Sequence, residues 1–225
     1  MSYLEGYAPQ LLEGALLTLQ LGIVSLLLGL VLGTLGALGE LSRSTVVRYF
    51  TLSWHTLIRG LPEILILFAV FYGSDLLFNR WLPTPIDISP YWAGIVGLGI
   101  LFGAYASQVL RGALLAIPTG QREAALALGF SHRQIYQHIL LPQLWRYALP
   151  GLGNLWLVLL KDTALVSLIG LTDLMSRAQA AVSITQKPFT FYLTVACIYL
   201  IMTSISQWLL QRYYQKTTRY LGAKQ

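Results

Sequence analysis

Hydrophobic residues in this chain come in long unbroken runs, separated by short polar islands. Five runs approach the roughly 20 residues that a helix needs to cross a bilayer. They predict spans at about 11–38, 61–78, 91–115, 144–169 and 191–210. The weakly polar stretch 51–57 leaves the start of the second span open. In the fourth, Pro150-Gly151-Leu152-Gly153 predicts a break or kink of the kind that suits a cavity wall. Gly29/Gly33 and Gly99/Gly103 have the G-x-x-x-G spacing that permits close helix packing.

Composition strengthens this pattern. The 225 residues are 56% hydrophobic and only 11% charged, where a soluble domain carries about 25%. So few charges cannot coat a core this apolar, and lipid must serve as solvent. The first run is too long for a cleavable signal and lacks a basic leader, with Glu5 and Glu13 where Lys or Arg would stand. It is expected to stay as an anchor. Trp54, Trp81, Trp92, Trp145 and Trp208 fall near predicted span ends, as interface aromatics do. The fold class is therefore all-α integral membrane.

Charge predicts orientation. Arg43, Arg48, Arg59, Arg111, Arg122, Arg133, Arg146, Arg212, Lys216, Arg219 and Lys224 share one side if the N-terminus is outside and the C-terminus inside. Only Arg80, Arg177 and Lys187 fall opposite. Cytoplasmic loops carry the Lys and Arg excess, so the net charge of +6 reads as topology. No aromatic-interleaved basic cluster points to nucleic acid. The lone Cys197 permits no disulfide within the chain and reads as a small apolar filler.

Residues 118–142 form the longest polar island. Thr119 is a good N-cap residue, and Glu123 follows near the positive helix end. Gly129 can stop a helix in the left-handed conformation, and Ser131 with Gln134 has capping-box spacing. Ile135 and Ile139 give an apolar stripe, and Pro142 restarts the chain toward the membrane. Ala124, Ala125 and Ala127 keep the first helix thin, which suits a plug in a partner's groove. His55, His132 and His138 fit no zinc spacing and read as surface hydrogen-bonding groups. No G-x-x-x-x-G-K-[ST] is present, so the chain has no phosphate loop of its own. No catalytic constellation stands out.

Glu123-Ala124-Ala125, three residues, Gly129, nine residues, then Ile139-Leu140-Leu141-Pro142 resembles the cytoplasmic EAA loop of ABC importer permeases. Every position and both spacings match. Ile58-Arg59-Gly60-Leu61-Pro62-Glu63 and the stretch YALPGLGNLWLVLLKDTALVSL from Tyr147 extend the likeness to the polar amino-acid ABC permease family. Within it, the chain most resembles the Q-type subunit of arginine and histidine/lysine/ornithine importers. The resemblance implies a five-helix type I ABC importer core, one permease domain over 1–225, in a bacterial inner membrane. It implies an ABC ATPase dimer docked at Glu123, Ala124, Ala125 and Gly129, with ATP and Mg on that partner and no cofactor here. A second permease, M-type or self, and a periplasmic amino-acid-binding protein complete the assembly. The 79–90 loop is a docking surface for that protein by position alone.

Intramembrane charges are costly and mark functional sites. Glu63 and Asp162 are expected to make the path attractive to a cationic amino acid, arginine first. Asp162 alternatively pairs within the bundle. Lys161 either binds the substrate carboxylate or neutralises Asp162. Asn154 and Gln207 either line the path or bond across helices, and the second is expected. An ATPase-independent secondary transporter and a scaffold protein stay open as rival classes. No inverted repeat supports the former.

Overall fold

The computed structural model describes residues 2–81 and 88–218. The described residues are helices and their connections. They run α1 Ser2–Glu40, α2 Thr45–Gly60, α3 Glu63–Trp81, α4 Pro90–Leu115, α5 Thr119–Ala127, α6 His132–Ile135, α7 Leu141–Asp162, α8 Leu174–Thr185 and α9 Pro188–Thr218. A π-turn, Tyr136–Leu140, joins α6 to α7, and a 3-10 segment, Thr163–Ile169, extends α7. Among the described residues, four helical columns are long and apolar enough to cross a membrane: residues 6–40, 90–115, 132–169 and 188–217. The proposed 79–90 docking loop falls partly on 82–87, outside the described residues, as do Arg219 and Lys224.

The second predicted span is a bent pair. α2 and α3 meet at 107°. Pro62 explains the corner, because its ring pushes the preceding residue out of the helical region. Leu61 is indeed extended, at φ −99° and ψ 146°. α2 is amphipathic and turns His55 and Ile58 inward while Val46 and Phe50 stay exposed.

α4 is the central column. Its small residues let α1 lie against it along a glycine seam. A Cβ on Gly33 would stand 2.8 Å from Ala106 Cβ and 3.1 Å from the Gly103 carbonyl oxygen. One on Gly103 would stand 2.8 Å from Leu32 Cβ and 3.3 Å from the Gly29 carbonyl oxygen. The two G-x-x-x-G motifs face each other, as their spacing allows.

Several expectations are corrected. α7 runs helical through Pro150, and the irregular backbone sits at its two ends instead. Neighbouring helices can compensate a proline's missing N–H inside a membrane bundle. Cys197 is exposed on α9 and fills no core gap. α8 is short and was not anticipated. Asp173 caps it, accepting from the Ser176 amide at 3.0 Å, while the Leu174 amide donates to Thr18 Oγ1 of α1 at 3.3 Å. Arg177 of α8 pairs with Glu13 at 2.8 Å, which brings two sequence-distant charges to the same end of the bundle.

Candidate functional site

The 118–142 island folds into a two-helix loop. α5 ends in a Schellman turn: the Phe130 amide donates to the Ala125 carbonyl at 3.1 Å, and the Gly129 amide to Leu126 at 3.0 Å. Gly129 sits at φ +82°, where a side chain would be strained. Ser131 and Gln134 then form the expected capping box. Thr119 does not cap; Pro118 occupies the N-cap and makes no side-chain bond. Ala125 and Ile135 are buried between the two helices, whereas Glu123 and Ala124 are exposed. His132 and His138 are exposed too, as expected.

Two features of the loop escaped sequence reasoning. Leu128 at the turn is 77% exposed, flanked by the partly exposed Leu126 and Phe130, so the loop presents apolar knobs to its surroundings. Gln143 Nε2 donates both to Gln121 Oε1 of α5 and to the Ile139 carbonyl, the latter at 2.9 Å. That side chain straps the exposed helix to the foot of α7.

Glu63 opens α3 and Asp162 closes α7. They line one cavity of about 190 Å3, walled by Leu98, Phe102 and Tyr105 of α4 and Leu155 of α7. Both side chains are half-buried. Lys161 lines a different cavity, with Tyr192 and Tyr199 of α9. Adjacent residues on a helix point about 100° apart, so Lys161 and Asp162 face different neighbours. Asn154 and Gln207 share a groove between α7 and α9 without bonding each other. The expected cross-helix bond is absent because both side chains turn outward, exposed along the groove.

His55 is not a surface group. It is 6% exposed, and its Nδ1 lies 2.6 Å from Glu40 Oε1. Ser107 of α4 donates to the same oxygen at 2.8 Å, and Arg111 Nε stands 3.7 Å from Oε2. Arg59 donates to the His55 carbonyl at 3.0 Å. The buried Glu40 carboxylate therefore knots α1, α2 and α4 together where α4 leads into the loop. Nothing in local sequence signals this, since Glu40 and Ser107 are 67 residues apart.

A multi-pass helical bundle with carboxylates in its interior and an exposed two-helix loop is built as a membrane permease. The sequence profile of the binding-protein-dependent transport system inner membrane component family matches residues 25–219. The chain belongs to that family and is a multi-pass protein of the bacterial inner membrane. Arginine ABC transporter permease protein ArtQ of Escherichia coli is 41% identical over 227 residues, covering 93% of this chain and 95% of the relative. ArtQ of Haemophilus influenzae is 47% identical over 206 residues, covering 92% of each. Histidine/lysine/arginine/ornithine transport system permease protein HisQ of Escherichia coli is 42% identical, covering 90% and 91%. A crystal structure of an amino acid ABC transporter with histidines superposes with a TM-score of 0.84 at 30% identity, covering 95% of this chain and 96% of that one. These likenesses confirm the EAA-loop reading of family.

Proposed function

We propose that this chain is the permease subunit of an ABC importer for cationic amino acids, arginine foremost. One observation carries the reading: Glu63 and Asp162 line the same half-buried cavity. Each intramembrane carboxylate costs roughly 2.5–3.5 kcal/mol on insertion scales. Two on one cavity call for a cation to offset them. A guanidinium supplies five N–H donors in a fork that matches carboxylate geometry. Lys161 lines a different cavity from Asp162 and stays out of contact with a cationic side chain there. The names of relatives point the same way: arginine for ArtQ, and histidine, lysine, arginine and ornithine for HisQ.

In this reading residues 1–225 form one permease domain with a five-helix type I core, the α2–α3 pair counting as one broken span. The N-terminus lies outside and the C-terminus inside. Glu123, Ala124, Ala125 and the Gly129 turn dock an ABC ATPase dimer, which carries ATP and Mg. A second permease, M-type or self, completes the path, and a periplasmic amino-acid-binding protein delivers substrate. Closure of the ATPase dimer draws the two coupling loops together, and the membrane halves rock outward. Gln143 and the Glu40 knot transmit that movement into α7 and α4. Reopening returns the cavity inward.

The test is uptake of labelled arginine, histidine and lysine in cells lacking this chain, then with it restored beside its ATPase and binding protein. Arginine uptake should return, and should fall on Glu63→Gln and Asp162→Asn. Unchanged arginine transport in both variants would sink the carboxylate argument. Preferred rescue of histidine would assign the alternative specificity. Rescue without the ATPase would indicate secondary transport instead.

A further inference from the structure

A second large hollow lies on another face of α7. It is a groove of about 700 Å3 between α1, α7 and α9. Its walls run from Leu19 to Leu30, from Trp145 to Trp156 and from Met202 to Tyr213. Each wall spans about 11 helical steps (30 − 19, 156 − 145, 213 − 202), or about 16 Å at 1.5 Å per residue. Half of a hydrocarbon core about 30 Å thick is about 15 Å. The groove therefore has the depth of one leaflet. Among the described residues, Ser206 is the single small polar side chain on its walls, and none of the lining residues is acidic. No residue lines both this groove and the Glu63–Asp162 cavity.

The two ends of the groove differ. Toward the bundle centre it ends on Leu19, Trp156 and Met202. Toward the 118–142 loop it ends on Trp145 and Tyr213, amphipathic rings that favour headgroup depth. Cations gather at this end. Arg146 donates from Nη2 to the Thr217 carbonyl at 2.9 Å. Arg212 stacks over Trp208 at 4.3 Å, and the exposed Lys216 lies one turn beyond it on α9.

We propose that this groove binds an anionic phospholipid from the leaflet on the loop side, with an acyl chain along the groove and its phosphate on Arg146, Arg212 and Lys216. The chain supplies the apolar filling, and the phosphate supplies acceptors for the cationic groups at the groove's loop-side end. Among the described residues the groove lining is free of acidic groups and its loop-side end carries Arg146, Arg212 and Lys216, so charge complementarity favours an anionic lipid.

The assembled permease–ATPase complex, reconstituted with equal phosphatidylglycerol and phosphatidylcholine, is released into gas phase and its retained lipid weighed by native mass spectrometry. Phosphatidylglycerol should be retained in preference. Arg212→Gln and Lys216→Gln should each lower that retention about fivefold. Ile205→Trp, which fills the groove, should abolish it while the ATPase stays bound. If Ile205→Trp prevents folding, the double Arg212→Gln/Lys216→Gln variant decides. Equal retention of the two lipids, or wild-type retention by the double variant, overturns the proposal. So does a disulfide between copies from Ile205→Cys in a Cys197→Ala background, which would place a second permease over the groove.

Discussion

Gly33→Ala puts the α1–α4 seam to a quantitative test. The new Cβ would meet Ala106 Cβ at 2.8 Å, the Gly103 carbonyl oxygen at 3.1 Å and the Ser107 amide nitrogen at 3.2 Å. All three atoms are backbone or Cβ, so no flexible side chain can swing aside. The two helices must part instead, at an overpacking cost of about 1–3 kcal/mol. Alanine also gains up to about 1 kcal/mol of helix propensity over glycine, which masks part of that cost. Gly112→Ala on α4 supplies the control, because a Cβ there meets nothing within 4 Å. The difference between the two variants isolates the steric cost. At about 2–4 °C per kcal/mol, Gly33→Ala should unfold several degrees below Gly112→Ala. Tryptophan fluorescence of the detergent-solubilised complex reads this directly. Equal unfolding temperatures would refute the close approach. Gly29→Ala extends the argument to transport. Its Cβ would reach within 2.6 Å of Phe102 Cδ1, and Phe102 walls the Glu63–Asp162 cavity. That variant should raise the KM for arginine more than Gly33→Ala does.

Glu40→Ala should destabilise the protein by about 3–5 kcal/mol, because it strands His55 and Ser107 in a buried site; thermal unfolding checks this, and a loss under 1 kcal/mol would deny the knot its role. Leu128→Asp should weaken ATPase capture by about tenfold or more while leaving the unfolding temperature unchanged, as a carboxylate placed in an apolar contact would; co-purification of the ATPase measures it, and undiminished capture would move the docking face elsewhere. Burial pushes the Asp173 carboxyl up from 3.8 to about 6. The folded state then binds the proton more tightly than the unfolded state, so stability is fullest below about pH 4 and is lost as pH rises through about 6. Asp173→Asn keeps a capping oxygen without the charge and should be more stable than wild type above pH 6, by on the order of 2–3 kcal/mol at most. The advantage should vanish below pH 4, and a pH-independent difference between the two proteins would contradict the assignment.

What was legible in the chain follows from the range over which each signal acts. The long spans show themselves because about 20 apolar residues in a row have few other uses. The Gly129 turn and the Ser131 cap are local events, complete within six residues, and both appear as read. α8 passed unseen because its 12 residues are too few to span a membrane. α2 is only half legible, since an amphipathic helix of mixed polarity lacks the unbroken apolar run that marks a span. His55 was misjudged for a related reason. Its burial depends on the sharp return at Leu61-Pro62 and on Gly36, which leaves the space that the imidazole fills.

Rarity of charge in an apolar run singled out Glu63 and Asp162 one at a time, yet it contained nothing about their shared cavity. The α4 column joins them, by packing its aromatic side chains, Phe102 and Tyr105, between α3 and α7. The same column carries Ser107 and Arg111 to Glu40 and then enters the coupling loop. On the proposed reading, a displacement of α5 has two routes into the membrane: through Gln143 to α7, and along the chain into α4, which the Glu40 knot ties to α1 and α2. Both routes end on the cavity walls. If coupling needs the two carboxylates to change their separation together, severing one route should lower uptake per ATP hydrolysed, and severing both should leave hydrolysis running without transport. Gln143→Leu and Ser107→Ala, alone and combined, distinguish this from a single lever. Additive effects on the logarithm of uptake per ATP would indicate independent routes, whereas a double variant no worse than Gln143→Leu would leave α7 as the sole connection.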